Sequence, residues 1–397
     1  MQLCFFEDHH ASNFHPLTLT RPVSDLRVGI LTIREKWELH LQLTTSFSIE
    51  SSYMTPTKIG DSLLKNDKFV WVNNRTIPNK DILKAITAAP VNTCIVNGST
   101  LIAVIADSEA SKQILDNSSI DEVAASLPKN EYSIDTQITH LWDLFSVNTS
   151  EIKEDILLSN FSNIDLNSYP SITVSNPNNV YVGRNVTIEP GSILIADEGP
   201  IVLGNNVHIQ AGAMIRGAAS IGEHTTINMG AKIRGGTTIG PHCKIGGEVS
   251  SSIFHSYSNK GHDGFVGHSL IGQWVNLGAD TNTSNLKNNY SAVRITDWNT
   301  KQNVDTEQQF FGSVIGDHSK TSINTMLNTG TICGVCSNIF SSGFPPKFIP
   351  SFSWVGDDIQ EYRFDKAKEA MAAMMKRRNI TLSEQYLAMM ESISDNR

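Results

Sequence analysis

The side chains best suited to chemistry lie in the stretch from residue 246 to residue 312. It holds His255, His262 and His268, the basic residues Lys260 and Lys287, and a concentration of carboxamides. His262 is the first candidate for a catalytic group, because a neutral imidazole takes a proton from an attacking nucleophile near pH 7. Backbone N–H groups at a glycine-containing corner such as Gly278-Ala279 would meet a developing oxyanion. The alternative for each histidine is an ordinary loop position. Cys333-Gly334-Val335-Cys336 is a CxxC without a second copy, which reads as packing rather than as a metal or redox motif.

The elements that must position these groups repeat. Leu203, Ile209, Ile215, Ile221, Ile227, Ile233, Ile239 and Ile245 recur every sixth residue, and the residue four further on is small or β-branched each time. Six fits neither a helix nor one long strand. It fits a coil of short parallel strands in which each hexad forms one side of a triangular prism, the aliphatic residue points along the axis, and Gly and Asn occupy corners that need positive φ. The register is present from Val182 and returns at Phe265, Ile271 and Leu277, then from Ile315 to Ile339. It breaks between Ile245 and Phe265 and again over residues 282–312. Both breaks are expected to be excursions from the coil, where loops on a rigid scaffold carry chemistry.

Composition sets the frame. A chain of 397 residues predicts two or three domains. With 40% hydrophobic and 18% charged residues and a net charge of -9 it is not disordered, and it is a poor partner for nucleic acid or anionic membranes. No apolar run reaches the length of a membrane span and residues 1–10 lack a basic start, so a soluble cytoplasmic protein is expected. Five cysteines do not form a disulfide framework. Of the 27 glycines, only Gly29, Gly60 and Gly98 precede Gly183, which divides the chain into halves of different construction.

The repeat resembles the hexapeptide-repeat proteins. That resemblance implies a left-handed parallel β-helix, a homotrimer, and acyl transfer from acetyl-CoA or another thioester at sites between neighbouring prisms. The run Lys260-Gly261-His262, then Asn276-Leu277-Gly278-Ala279-Asp280-Thr281 and Asn285, resembles the acetyltransferase site of the GlmU-like family of glucosamine-1-phosphate acetyltransferases/N-acetylglucosamine-1-phosphate uridyltransferases, in a shorter alternative branch. The resemblance implies His262 as the base, Asn276 and Asn285 as sugar contacts, and Arg234 as the residue that grips the sugar phosphate. Phe265, Asp280 and Ser252 depart from the family's tyrosine, glycine and lysine, leaving Lys260, Lys287 or Arg294 to supply positive charge for a phosphate. Some hexapeptide-repeat proteins resemble carbonic anhydrases with histidine-held zinc, but the spacings of His255, His262 and His268 lack the close pair associated with them.

The first 140 residues read as mixed α/β. Strands are expected near residues 3–6, 69–72 and 94–105, with a hairpin at Gly98-Ser99, and helices over residues 32–43 and 81–88. Pro16-Leu17-Thr18-Leu19-Thr20-Arg21-Pro22 and the following Asp25-Leu26-Arg27-Val28-Gly29 resemble the opening of sugar-phosphate nucleotidyltransferases. No glycine precedes Gly29, so the usual phosphate loop is absent, and a triphosphate would fall to Arg21, Arg27, Arg34 or Lys36. Glu7, Asp8 or Asp107 are the candidate Mg²⁺ ligands.

The expected organisation is therefore a nucleotidyltransferase-like α/β domain over residues 1–140, a helical linker over 141–178, a left-handed β-helix over 179–344 and a tail over 345–397. In the tail an extended proline-rich segment precedes a helix over residues 365–378 and a last helix capped by Thr381 with Glu384. The expected function is acetyl transfer from acetyl-CoA to an amino-sugar phosphate, coupled to nucleotidyl transfer from UTP with Mg²⁺. The competing reading is a sugar-nucleotide-binding or scaffold trimer with decayed sites.

Overall fold

The structure, a computed structural model, describes residues 1–49, 68–117, 120–133 and 137–397. It divides into two compact units.

The first unit comprises Met1–Phe14, Arg21–Leu26 and Leu31–Thr139. Its sheet is built from β1 (Gln2–Phe6), β2 (Thr45–Ile49), β3 (Phe69–Asn73), β4 (Thr93–Asn97), β5 (Thr100–Ala106) and β6 (Lys129–Glu131) in the order β2-β1-β3-β5-β4-β6. The two strands flanking β1 run parallel to it, whereas β5 is antiparallel to both β3 and β4. The β4–β5 hairpin turns where expected, with Gly98 at φ +57°. Helix α1 (Ile33–Leu41) starts at a capping box: Thr32 accepts from the Glu35 amide, and the Glu35 carboxylate accepts from the Thr32 amide. Helix α2 (Lys80–Ala88) is capped by Asn79, and α3 (Ser108–Asn117) and α4 (Ile120–Ala125) follow β5.

The second unit joins His140–Arg397 with two N-terminal segments, His15–Thr20 and Arg27–Ile30. Helix α5 (Leu141–Ile156) leads into a parallel β-solenoid of left-handed β-helix type. Parallel strand pairing begins at Thr173–Ser175 and ends at Ser353–Val355, beyond the expected 179–344 on both sides. One face is a ten-stranded sheet. The aliphatic ladder forms the core: Leu203, Ile221 and Ile239 stack on one face, Ile209, Ile227 and Ile245 on a second, and Leu194, Ile215 and Ile233 on the third. Burial of such side chains contributes roughly 1.5–3 kcal/mol each.

The first expected excursion is instead part of the coil. Between Ile245 and Phe265 the turns shorten, and the chain keeps pairing through Glu248–Ser250, Ile253–Ser256 and Asn259–Lys260. The inward positions pass to Val249, Phe254 and Val266, so Phe265 is not the core residue of its strand. The second break is an excursion: after Asn282–Thr283 the chain forms an antiparallel pair, Arg294–Thr296 with Asn303–Asp305, and rejoins at Ser313–Ile315.

The tail ends in α6 (Phe364–Lys376) and α7 (Glu384–Asp395). The cap of α7 is Ser383, whose hydroxyl accepts from the Tyr386 amide, not Thr381. Cys333 is wholly buried in the solenoid core and burial pushes its thiol up to about 12, in keeping with packing. All five cysteines are free and buried.

Candidate active site

A cleft of about 780 Å³ opens along one face of the solenoid. Strand pairing sets its floor. Lys244 lies beside Asn259, Asn259 beside Asn276, and Asn276 beside Lys320, which makes a row of four polar side chains across consecutive rungs. One edge carries Gly261 and His262, then Gly278 and Ala279 one rung on; Tyr257 and Trp274 line the cleft as well, and α6 supplies Met374, Arg377 and Arg378. His262, Asn276, Gly278 and Ala279 are thus brought together as expected.

His262 is exposed, but its backbone is tied down from beneath. Lys260 pairs with Ile245 on a core strand and is 0% exposed. Its Nζ donates to the carbonyls of His262 at 2.6 Å and Asp263 at 2.5 Å. Burial pushes this ammonium down to about 8, against the attraction of Asp263 and Asp280. Lys260 therefore does not reach a substrate phosphate; it occupies an inward position and holds the His262 corner. A second tie is Asn228, whose Nδ2 donates to the Gly261 carbonyl at 2.7 Å.

Gly278 and Ala279 differ. The Gly278 N–H donates to Thr321 Oγ1 at 2.9 Å, and a Cβ there would stand 2.3 Å from the Ser322 carbonyl oxygen, so this glycine serves close rung packing. The Ala279 N–H has no protein acceptor among the described residues, which makes it the better oxyanion donor.

The other expected sugar or phosphate contacts lie outside the cleft lining. Arg234 pairs with Glu248 at 3.2 Å. Lys287 donates to the Ala292 carbonyl at 2.7 Å and Arg294 faces Asp305. Asn285 donates to His268 Nδ1 at 2.9 Å, and burial lowers the His268 imidazole to about 4. His255 is 6% exposed, and among the described residues no three His, Cys, Asp or Glu side chains converge as a metal site.

Sequence reasoning missed Lys244, Lys320, Arg377 and Arg378, and also a column of rings. His224, His242, Tyr257, Trp274 and His318 stack in turn with centroids 4.9, 4.7, 4.3 and 6.1 Å apart. All five hold φ between 55° and 60°, so corners expected to need Gly or Asn are met by rings whose contact offsets the left-handed backbone. The signal was available: each ring sits three residues after an inward residue of one face, as His224 after Ile221 and Trp274 after Ile271.

Of the early basic candidates three are buried, whereas Arg34 is half-buried and pairs with Asp25 at 2.5 Å. Arg21 is 6% and Lys36 1% exposed. Arg27 is 8% exposed, belongs to the solenoid unit and donates to the Ile30 carbonyl. It sits in a docking segment: Gly29 N–H donates to Asn148 Oδ1 at 2.7 Å, and Thr238 Oγ1 donates to the Gly29 carbonyl at 2.9 Å. Gly29 is thus required by close approach, since a Cβ would stand 2.5 Å from Asp155 Oδ2. The Mg²⁺ candidates do not fit a cation. Asp8 is held by Arg75 at 2.7 Å and by Asn73, Glu7 accepts from Asn74, and Asp107 accepts from Asn92 and from the Ala110 amide at the start of α3.

Residues 3–161 match the family model of sugar nucleotidyl transferases, and residues 218–249 match the bacterial transferase hexapeptide, six repeats. The chain is 28% identical over 137 residues to the bifunctional protein GlmU of Methanococcus aeolicus, covering 33% of this chain and 29% of that protein. It is 33% identical over 108 residues to the bifunctional protein GlmU of Methanococcus vannielii, covering 27% and 25%. The matched stretch thus spans under a third of either relative's length. Among solved structures, a UDP-N-acetylglucosamine acyltransferase from Campylobacter jejuni aligns with 56% of this chain and 94% of its own at 16% identity and a TM-score of 0.30. No described helix is long and apolar enough to cross a membrane.

Proposed function

We propose that this chain, which joins a domain of the sugar nucleotidyl transferase family to a hexapeptide-repeat transferase domain, transfers the acetyl group of acetyl-CoA to the amine of an amino-sugar phosphate at the solenoid cleft. The observation that carries the reading is that His262, Asn276 and Ala279, from successive rungs, line one cleft together with basic side chains.

In this reading the substrate amine attacks the thioester carbonyl while the His262 imidazole takes the proton that nitrogen loses. The carbonyl oxygen gains charge and is met by the Ala279 N–H. The C–S bond then breaks and coenzyme A leaves as thiolate, to be protonated by the imidazolium or by water. Asn276 orients the sugar from the floor, and Lys260 is a positioning residue that fixes the corner bearing His262. Coupling to nucleotidyl transfer from UTP rests on the family match of residues 3–161, and Asp8 and Asp107 are already engaged by Arg75 and by the Ala110 amide rather than offered to Mg²⁺.

The test is release of thiol from acetyl-CoA across a panel of amino-sugar phosphates. His262→Ala should lower kcat by about 10²–10⁴-fold, the usual contribution of a positioned acid-base group. An unchanged rate would sink the reading. The reading includes a homotrimer, for which sedimentation velocity should give three times the chain mass.

A further inference from the structure

The cleft changes character along its length. Helix α6 follows the corner that carries the stacked rings. That corner continues past His318 as Cys336 and Phe352, which hold the same left-handed backbone at φ 54° and 52°. The helix touches both: Phe364 lies on Phe352 with ring centroids 6.0 Å apart, and Met371 Sδ is 3.8 Å from the buried Cys336 Sγ. From there α6 runs back against the order of the rungs, and Arg378, just past its end, has its charge within reach of Tyr257 and His242. Ala370, Ala373 and Met374 therefore stand over the rungs in between, those of His318 and Trp274, and all three line the cleft.

The same two rungs supply Lys320 and Asn276 to the floor and Ile323 and Ala279 to the opposite edge. Ile323 lies one rung beyond Ala279, since the next residue, Asn324, donates its N–H to the Ala279 carbonyl at 2.8 Å. It is 68% exposed although it borders the cleft. A single exposed aliphatic residue is ordinary, but this one has an apolar helix stripe across the floor from it. Docking of α6 does not account for that stripe. Ala367 and Met371, each 1% exposed, are the residues the helix buries, whereas Ala373 is exposed and Ala370 and Met374 are half-buried. Nor does Lys320 make this stretch polar: its side chain is half-buried, and its Nζ donates to the His318 carbonyl at 3.0 Å. A thioester whose carbonyl oxygen meets the Ala279 N–H has sulfur on one side of that carbonyl and the acyl carbon on the other, so the two substituents leave toward opposite ends. The Lys244 end is charged and the Ile323 end is apolar, which places an aliphatic substituent at Ile323.

We propose that Ile323, with Ala370, Ala373 and Met374 of the tail helix, forms a subsite for the aliphatic part of the acyl group, and that the small side chains at 370 and 373 admit linear acyl groups longer than acetyl. The proposal rests on reading the cleft as an acyl-transfer site and deepens it: acetyl is the shortest member of the series taken, and α6 sets the room for the rest. The pantetheine arm of coenzyme A is the other occupant that such a wall suits, so the test separates the two.

Calorimetry on the full chain would compare coenzyme A with its acetyl, butanoyl and hexanoyl thioesters. Full burial of a methylene gives roughly a fourfold gain, so in a cleft open on one side hexanoyl-CoA should bind about tenfold or more tightly than acetyl-CoA. Ala373→Leu fills the helix wall and Ile323→Ser removes the facing edge; each should cut that ratio to about threefold or less. Ala372→Leu adds the same side chain at an exposed position of α6 outside the cleft and should keep the wild-type ratio. Ile323 is on the solenoid, so its variant tests the subsite even if the Ala373 variant disturbs docking of α6. Equal affinities for acetyl-CoA and hexanoyl-CoA in the wild type overturn the proposal, as does a wild-type ratio retained in both variants. Equal weakening of free coenzyme A and of every thioester in both variants overturns it too, by giving the wall to the pantetheine arm. If affinity rises with chain length as expected while the wild type releases no thiol with any amino-sugar phosphate, the acyl subsite stands and the transfer reading fails.

Discussion

Charged side chains stand in opposite situations in the two units. In the N-terminal unit Arg75 is 2% exposed, grips Asp8 with two of its nitrogens and donates to the Ile138 carbonyl at 3.0 Å. In the solenoid cleft Lys244 and Arg377 are exposed and face no carboxylate within the lining. The first arrangement stabilises strand ends and loops of the unit itself; the second leaves the charge without a carboxylate in the lining. Charge by residue type does not distinguish these situations. Pairing does, and Lys260 and His268 show the intermediate case of solenoid groups near the cleft or the excursion whose function is internal.

The largest expected effect that would break this contrast comes from Asp8→Asn. It leaves the Arg75 guanidinium buried without a counter-charge, so thermal or denaturant unfolding of the N-terminal unit should show a loss of about 3–5 kcal/mol. Burial alone would raise the Asp8 carboxyl, but hydrogen bonds from Arg75 and Asn73 and the Arg75 charge hold it below its usual value. The wild type should accordingly keep this contribution above the ordinary carboxylate range and lose it as pH falls through the lowered value. A loss much under 1 kcal/mol in the variant would mean the pair is no more than a surface contact.

A smaller effect is expected at His268. Its folded value of about 4 lies below the ordinary imidazole value, so the unfolded chain takes up a proton first as pH falls. Stability should drop from about pH 6.5 toward pH 4, and this slope should be shallower in His268→Gln; equal slopes in chemical denaturation would show that the ring is solvated. An effect of similar size is expected at Lys260, whose ammonium burial lowers as far even against the attraction of Asp263 and Asp280. With a folded value of about 8 under an ordinary unfolded value, the ammonium disfavours the fold below pH 8 and the disadvantage is relieved as pH rises from there to about 10.4. Lys260→Met should remove that alkaline rise, and a persisting rise would contradict an inward Lys260.

Much of the architecture was legible in residue spacing. The ladder from Leu203 to Ile245 identified the coil, because each rung repeats one local rule, and the glycine division anticipated two constructions. The hairpin at Gly98 and the helix starting at Thr32 follow from equally local chemistry. The shortened turns after Ile239 were not legible. A Lys at 260 reads as a loop residue until strand pairing sets it beside Ile245, and nothing local to Arg234 foretells its pairing with Glu248. The early arginines were misread for a related reason: Arg27 lies in a segment that docks on the solenoid unit.

By itself, then, the amino-acid sequence determined the solenoid, its core residues and the candidacy of His262, because periodic burial and the chemistry of one imidazole need no knowledge of distant partners. Only the tertiary structure decided which side chains share the cleft. Lys244, Lys320 and the tail arginines are far apart along the chain, and their meeting follows from rung stacking and from where α6 packs, neither of which a local pattern records.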